Sequence, residues 1–267
     1  PLIIKHRPTA STFWSRMLVE NVQADGKIFG DYWTGGMEFA EAWNSKFSNV
    51  HMIGQNGVDP TKWPATAYKF TGATVSGINL QTVKAMSCIT GLDFAMTHLE
   101  GAALYDVAVV SCRDGVLLES DTGGGPLHIN INTLHVAQHR NATAVTPGKC
   151  LSIKDGKSVN LQNTELYVDG AAAGGRGIKL DTCSKVSIDS SNKVINIGYS
   201  IPGTNNVGID VINPNTTVIT APEVSFFRGT GDTPIKFSGA TPVSCEINKP
   251  RFYQCNDMSG VVAPGVA

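Results

Sequence analysis

CLSIKDGKSVNLQNTELYVDG (residues 150–170) and GIKLDTCSKVSIDSSNKVINI (residues 177–197) present the same three alternating pairs in the same order. Leu151/Ile153, Val159/Leu161 and Leu166/Val168 in the first stretch correspond to Ile178/Leu180, Val186/Ile188 and Ile195/Ile197 in the second. The first two pairs are displaced by the same 27 residues and the third by a little more. Alternation of apolar and polar residues is the period of a half-buried strand. Three such strands per copy, joined by short bends, describe one turn of a coil, so the reading is a three-sided parallel β-helix.

Working outward, a phrase of one small residue followed by apolar, any, apolar recurs along the chain. It reads Gly77-Ile78-Asn79-Leu80, Gly91-Leu92-Asp93-Phe94, Gly115-Val116-Leu117-Leu118, Cys150-Leu151-Ser152-Ile153, Gly177-Ile178-Lys179-Leu180, Gly208-Ile209-Asp210-Val211 and Pro234-Ile235-Lys236-Phe237. Units of this kind bury their apolar faces only against their neighbours. Other inward pairs are Ile129/Ile131, Leu134/Val136 and Val224/Phe226, with Val218 between. Parallel stacking requires every connection to run in one sense, and right-handed connection is the strong default. Cys88 and Cys112 each precede a repeat glycine by three residues, which predicts buried thiols stacked one above the other.

Residues 1–63 lack the repeat and hold all four tryptophans, Trp14, Trp33, Trp43 and Trp63. Here Phe39, Ala40, Trp43 and Phe47 fall at helical spacing, so a short helix over Met37 to Ser48 is expected in a capping segment over the first turn. An aromatic sugar platform is the functional alternative for these tryptophans. Residues 64–239 form the β-helix, and 240–267 read as a distal extension or interchain contact region. The start at Pro1 and the end at Ala267 suggest a fragment of a longer protein. Ser120 to Pro126, Gln138 to Gly148 and Gly170 to Arg176 break the period and read as loops thrown out from the coil.

The 21 basic and 22 acidic residues nearly cancel and form no long single-sign run, which argues against nucleic acid. No apolar stretch reaches the length of a membrane span. Only 16% of residues are charged, a balance suited to a polar, weakly ionic partner such as carbohydrate. The cysteines, histidines and acids lack ligand spacing, so neither a metal nor a cofactor is expected.

A parallel β-helix with an aromatic-rich segment before it and turns rich in Asn, Thr and Gly, over about Ala67 to Gly239, resembles the bacteriophage tailspike and tail-fibre proteins, which share the pectin-lyase-like fold. The resemblance implies a homotrimer at a virion tail that binds, and often cleaves, a bacterial surface polysaccharide. The Asn-Thr-Asp, Asp-Asp, Gly-His-Gly and Arg-Ile-Lys set of polygalacturonases is absent, as is the Trp-Ile-Asp-His type of pectate-lyase motif, so no family residue carries over. Two other readings remain open: a secreted polysaccharide lyase or glycoside hydrolase, and a non-catalytic fibre or adhesin segment.

Candidate site residues therefore come from geometry. The middle letter of each phrase should point outward, giving a ladder Asn79, Asp93, Leu117, Ser152, Lys179, Asp210, Lys236, with a second row Gln81, Ala95, Glu119, Lys154, Asp181, Ile212, Ser238 beside it. Asp93 and Glu119 come out about 8 Å apart, within the range of about 6.5 to 9.5 Å used by inverting glycosidases. Asp93, Glu119 and Asp181 are the candidate acids, with Asp121 as a further one. Lys154, Lys179, Arg176 and Asp210 are candidate substrate contacts. A lyase would instead need a base and a cation, for which His128 and Arg140 are the alternatives.

Overall fold

A computed structural model describes residues 3–5, 17–26, 34–54, 59–75, 77–119, 128–144, 146–169, 173–189, 191–196, 205–239, 244–255 and 261–262. Trp14, Trp33, Asp121, Ile197 and the Ser120 to Pro126 loop lie outside them. The described chain is an all-β parallel solenoid. Every strand pairs in parallel with its counterpart one turn away.

Three columns of inward side chains define three faces. On the first, Met37, Tyr68, Leu92, Val116, Leu151, Ile178, Ile209 and Ile235 stand in register, with Phe39, Phe70, Phe94, Leu118, Ile153, Leu180, Val211 and Phe237 two residues on. These eight rungs make about seven turns. The second face stacks Val19, Phe47, Leu80, Leu104, Ile131, Leu161, Ile188 and Ile219. On the third, Met52, Ala85, Val109, Val136, Leu166, Val194 and Val224 line up. Nearly all of these residues are buried, and they form one continuous core.

The corners are built from single residues in the left-handed region. Between the second and third faces, Asn21, Asn49, Thr82, Asp106, Thr133 and Asn163 occupy the same position on successive rungs, with φ from 51° to 65°. One such residue turns the strand without breaking the ladder on either side. The run Ile78–Leu99 is therefore hydrogen-bonded throughout although it bends at Thr82 and Ser87. Among residues with a side chain, Asn and Asp tolerate this conformation best, and Asn49 Nδ2 donates to Asn21 Oδ1 at 2.7 Å, linking neighbouring rungs at the corner.

The small residue of the repeat phrase has a steric origin. A Cβ on Gly115 would lie 2.2 Å from the Cys150 carbonyl oxygen and 2.6 Å from Val136 Cγ1. One on Gly177 would meet Val194 at 2.3 Å and the Gly208 carbonyl oxygen at 2.5 Å. The third face presses against the start of the first at this height. Cys88 and Cys112 are in register and fully buried, as expected, and burial pushes the Cys88 thiol up to about 12.

Several expectations are corrected. Met37 to Ser48 is not helical: Met37–Ala40 and Lys46–Ile53 are strands whose alternating burial puts Phe39 and Phe47 in the core, ring centroids 4.6 Å apart. Aromatic spacing alone could not separate a helix from two strands joined by a bend. Parallel pairing already runs from Ile3, whose strand pairs with Met37–Ala40, and continues from Leu18, ahead of the repeat recognised in the sequence. The pair opposite Leu166 and Val168 is Val194 and Asn196, not Ile195 and Ile197. The corner after Ile188 carries one extra residue, and buried Asn192 occupies it, accepting from Thr164 N and Oγ1 and donating to the Leu161 carbonyl. Likewise Thr217 and Ile219 point inward around Val218, and Phe227 replaces Phe226, which takes the left-handed corner position (φ 64°). Gln138 to Gly148 contains a short helix, Arg140–Thr143, capped by the His139 side chain.

Candidate functional site

The outward ladder of the first face forms largely as expected. Lys69, Asp93, Leu117, Ser152, Lys179, Asp210 and Lys236 are consecutive register partners. Lys154, Asp181, Ile212 and Ser238 form the neighbouring row. Asn79 and Gln81 do not belong to it. They lie on the second face, because Gly77-Ile78-Asn79-Leu80 pairs with Ala102-Ala103-Leu104 and not with the Gly91 phrase. Their phrase matches the repeat in letters but occupies a different side of the triangle.

Three acids of the first face are held by ion pairs. Lys149 Nζ lies 2.9 Å from Glu119 Oε1, and Ser152 Oγ donates to the same oxygen. Burial pushes the Glu119 carboxyl up, but the hydrogen bonds from Ser152 and Lys149 and the charges of Lys149 and Lys179 outweigh it and hold the group below its ordinary value. Glu119 is thus kept as an anion, the form of a base or a charge stabiliser and not of a proton donor. Lys179 Nζ contacts Asp181 Oδ2 at 3.4 Å.

Arg176 and Asp210, two proposed contacts, meet each other. Arg176 Nε donates to Asp210 Oδ2 at 2.8 Å, and Nη1 donates to the carbonyls of Gly174, Gly175 and Asn205 at 2.7, 3.1 and 3.0 Å. Asp210 is only 3% exposed and Ser152 only 1%, although both sit at outward positions of the ladder. Arg176 therefore acts as a clasp between rungs. His128 and Arg140, the alternative pair, stand at opposite ends of strand His128–Gln138 and are not brought together. Trp63 is buried, with its ring edge-on to His139 at 5.4 Å.

The second face has a different chemistry. Its outward column runs Lys46, Asn79, Ala103, Asn130, Asn160, Ser187, and the next column Ser48, Gln81, Tyr105, Asn132, Gln162. A groove of about 470 Å³ opens here, lined by Asn79, Asn130, Asn160, His128 and Ser158 with Gly77, Gly101, Ala103 and inward Ile78, Ala102 and Ile129 at its floor. It exists because side chains are missing from the ladder: Gly77 and Gly101 stand in the column that continues as His128 and Ser158, and Ala103 interrupts the amides.

A Cβ on Gly101 would touch nothing closer than 3.4 Å, so the fold does not require glycine there. The groove edge is polar and unfinished. Asn130 Nδ2 donates to Tyr105 Oη at 3.3 Å, while Asn130 Oδ1 and Asn79 Oδ1, both out of contact with bulk solvent, have no hydrogen-bond partner. Such acceptors are uncommon in folded proteins and call for a donor. Farther along, Asn132 donates to Gln162 and Asn163 to Asn132 at 3.4 and 3.0 Å.

Of the groove residues, the sequence reading named His128 as an alternative base, and its inward pair Ile129/Ile131 leaves Asn130 outward between them, as the structure has it; it missed Asn160, Ser158, Gly101 and Ala103. A signal was present in the triplets Ile78-Asn79-Leu80, Ile129-Asn130-Ile131 and Val159-Asn160-Leu161, each an apolar pair around an asparagine. Among the described residues no three His, Cys, Asp or Glu side chains are grouped to hold a metal ion, and no helix is long and apolar enough to cross a membrane.

No protein-family model, curated protein or solved structure matches this chain.

Proposed function

We propose that this chain is a receptor-binding β-helix of the tailspike or tail-fibre kind, which grips a bacterial surface polysaccharide along its flank and acts as a homotrimer at a virion tail. The observation that carries this reading is the outer second face. Over the rungs from Asn79 to Ser187 it offers amides, hydroxyls and the half-exposed Tyr105 ring beside a groove with unpartnered acceptors. Hydroxyl-rich polymers are recognised by such arrays of neutral hydrogen-bonding groups together with an amphipathic aromatic surface. Rungs repeating at about 4.8 Å present these groups along a line, which suits a linear chain better than a small molecule.

The test is binding to a bacterial glycan array and to whole cells, followed by product analysis on each positive. Retention on one polysaccharide class supports the reading, and no retention on any glycan or cell refutes it. Release of reducing ends would add hydrolysis, with Asp93, Glu119 and Asp181 as the acids to substitute. Release of ultraviolet-absorbing unsaturated ends would add lyase chemistry, with His128 first to be replaced. A mass of three chains by light scattering fits the virion setting; a monomer favours the secreted-enzyme alternative.

A further inference from the structure

We infer that the groove on the second face binds an uncharged stretch of polysaccharide, one that presents hydroxyl or acetamido N–H donors to Asn79 and Asn130. This rests on the carbohydrate reading above and narrows its substrate class. The groove lining contains no Asp, Glu, Lys or Arg. Its unpartnered atoms are both carbonyl oxygens, Asn79 Oδ1 and Asn130 Oδ1. Tyr105 takes the Asn130 Nδ2 donor, which leaves the oxygen at the groove edge without a partner.

Hydroxyl and amide N–H groups satisfy such oxygens. A carboxylate has no proton to give, would face them with like partial charge, and would lose its hydration with no lysine or arginine in the groove lining to compensate. The spacing fits an extended occupant. Asn79 and Asn130 lie two rungs apart, about 9 to 10 Å, with Ala103 leaving room between them, and Asn160 follows one rung later.

The test is equilibrium binding of the whole chain to purified bacterial polysaccharides, divided into uncharged and carboxylate-bearing members, at low and high ionic strength. An uncharged polymer should bind with an affinity that salt leaves unchanged. Asn130→Ala and Asn79→Ala should each weaken it by about tenfold. Ala103→Leu, which fills the notch and keeps both asparagines, should abolish it, with circular dichroism and unfolding midpoint as controls for folding. Should Ala103→Leu not fold, the two alanine variants carry the test. Binding confined to carboxylate-bearing polymers, or binding that these substitutions leave intact, overturns the inference while the carbohydrate reading stands. A chain that binds no polysaccharide overturns both.

Discussion

The first and second faces share a backbone plan, parallel rungs in register with alternate side chains turned out, yet they treat outward polar groups in opposite ways. On the first, Glu119 is held by Lys149 and Ser152, Asp181 by Lys179, and Asp210 by Arg176, with Asp210 Oδ1 as the exception left without a partner. On the second, glycines and an alanine open a groove whose asparagine oxygens lack donors. A charged ladder is conspicuous in the sequence, but its acids Glu119, Asp181 and Asp210 are each held by a neighbouring cation, and its Lys69, Lys154 and Lys236 carry no ion pair among the described residues. Neutral amides, less conspicuous, retain unused hydrogen-bonding capacity beside the groove.

The sharpest way to break this contrast is to remove one member from each face. Asp210→Ala leaves the Arg176 guanidinium partly buried without its counter-charge, and loss of one partner of a buried pair costs several kcal/mol. Because three carbonyls still accept from Arg176 Nη1, the expected loss lies near the low end of that range, about 3 kcal/mol. Asn130→Ala should change stability by no more than about 0.5 kcal/mol. Urea unfolding midpoints of the two variants check this, and equal losses would dissolve the distinction between clasp and site.

Glycines sharpen it next. Gly115→Ala forces a Cβ against the Cys150 carbonyl and Val136, so a loss of about 1 to 3 kcal/mol is expected. At Gly101 the same change meets only ordinary contacts and restricts the unfolded chain, so stability should hold or rise by about 0.4 to 1 kcal/mol. Thermal unfolding of both variants measures the difference. A Gly101 variant as damaged as the Gly115 one would mean that the fold, not the groove, demands glycine there.

What the sequence made legible follows from period. Pairs such as Leu151/Ile153 and Ile178/Leu180 repeat because each rung buries itself against the next, so the three-sided coil and the inward columns could be read from spacing. Corners were harder. One extra residue before Val194 puts Val194 and Asn196 inward in place of Ile195, and only the buried Asn192 marks the insertion. The N-terminal strands escaped because Phe39 and Phe47 satisfy helical spacing as well as strand alternation. The groove was illegible for a further reason: it is made by absent side chains at Gly101 and Ala103, and glycine in a β-rich sequence reads first as a turn.

A smaller effect concerns pH on the first face. Glu119 is held below its ordinary value, so its folded form binds a proton less readily than the unfolded chain does. Its contribution is therefore fully present above the unfolded carboxyl value near 4.5 and fades as pH falls through the lower folded value. Glu119→Gln should flatten the acid limb of the stability profile below that point while leaving Lys149 without its anion at neutral pH. Acid titration of unfolding midpoints tests the sign, and an acid limb as steep in the variant as in the parent would place the pH dependence elsewhere.

The smallest expected change borders the second face and acts through the corner alone. Thr82 and Thr133 hold left-handed φ of 53° and 65° in a column otherwise filled by Asn21, Asn49, Asp106 and Asn163. A β-branched side chain is strained in that conformation, whereas asparagine adopts it readily and can reach the neighbouring rung as Asn49 reaches Asn21. Thr82→Asn should therefore raise stability by roughly 0.5 to 1 kcal/mol, read as a higher unfolding midpoint, with polysaccharide affinity unchanged because the side chain does not line the groove. A rise in midpoint accompanied by altered affinity would show that corner geometry sets the positions of the amides, making the second face a mechanically coupled surface and not a row of independent contacts.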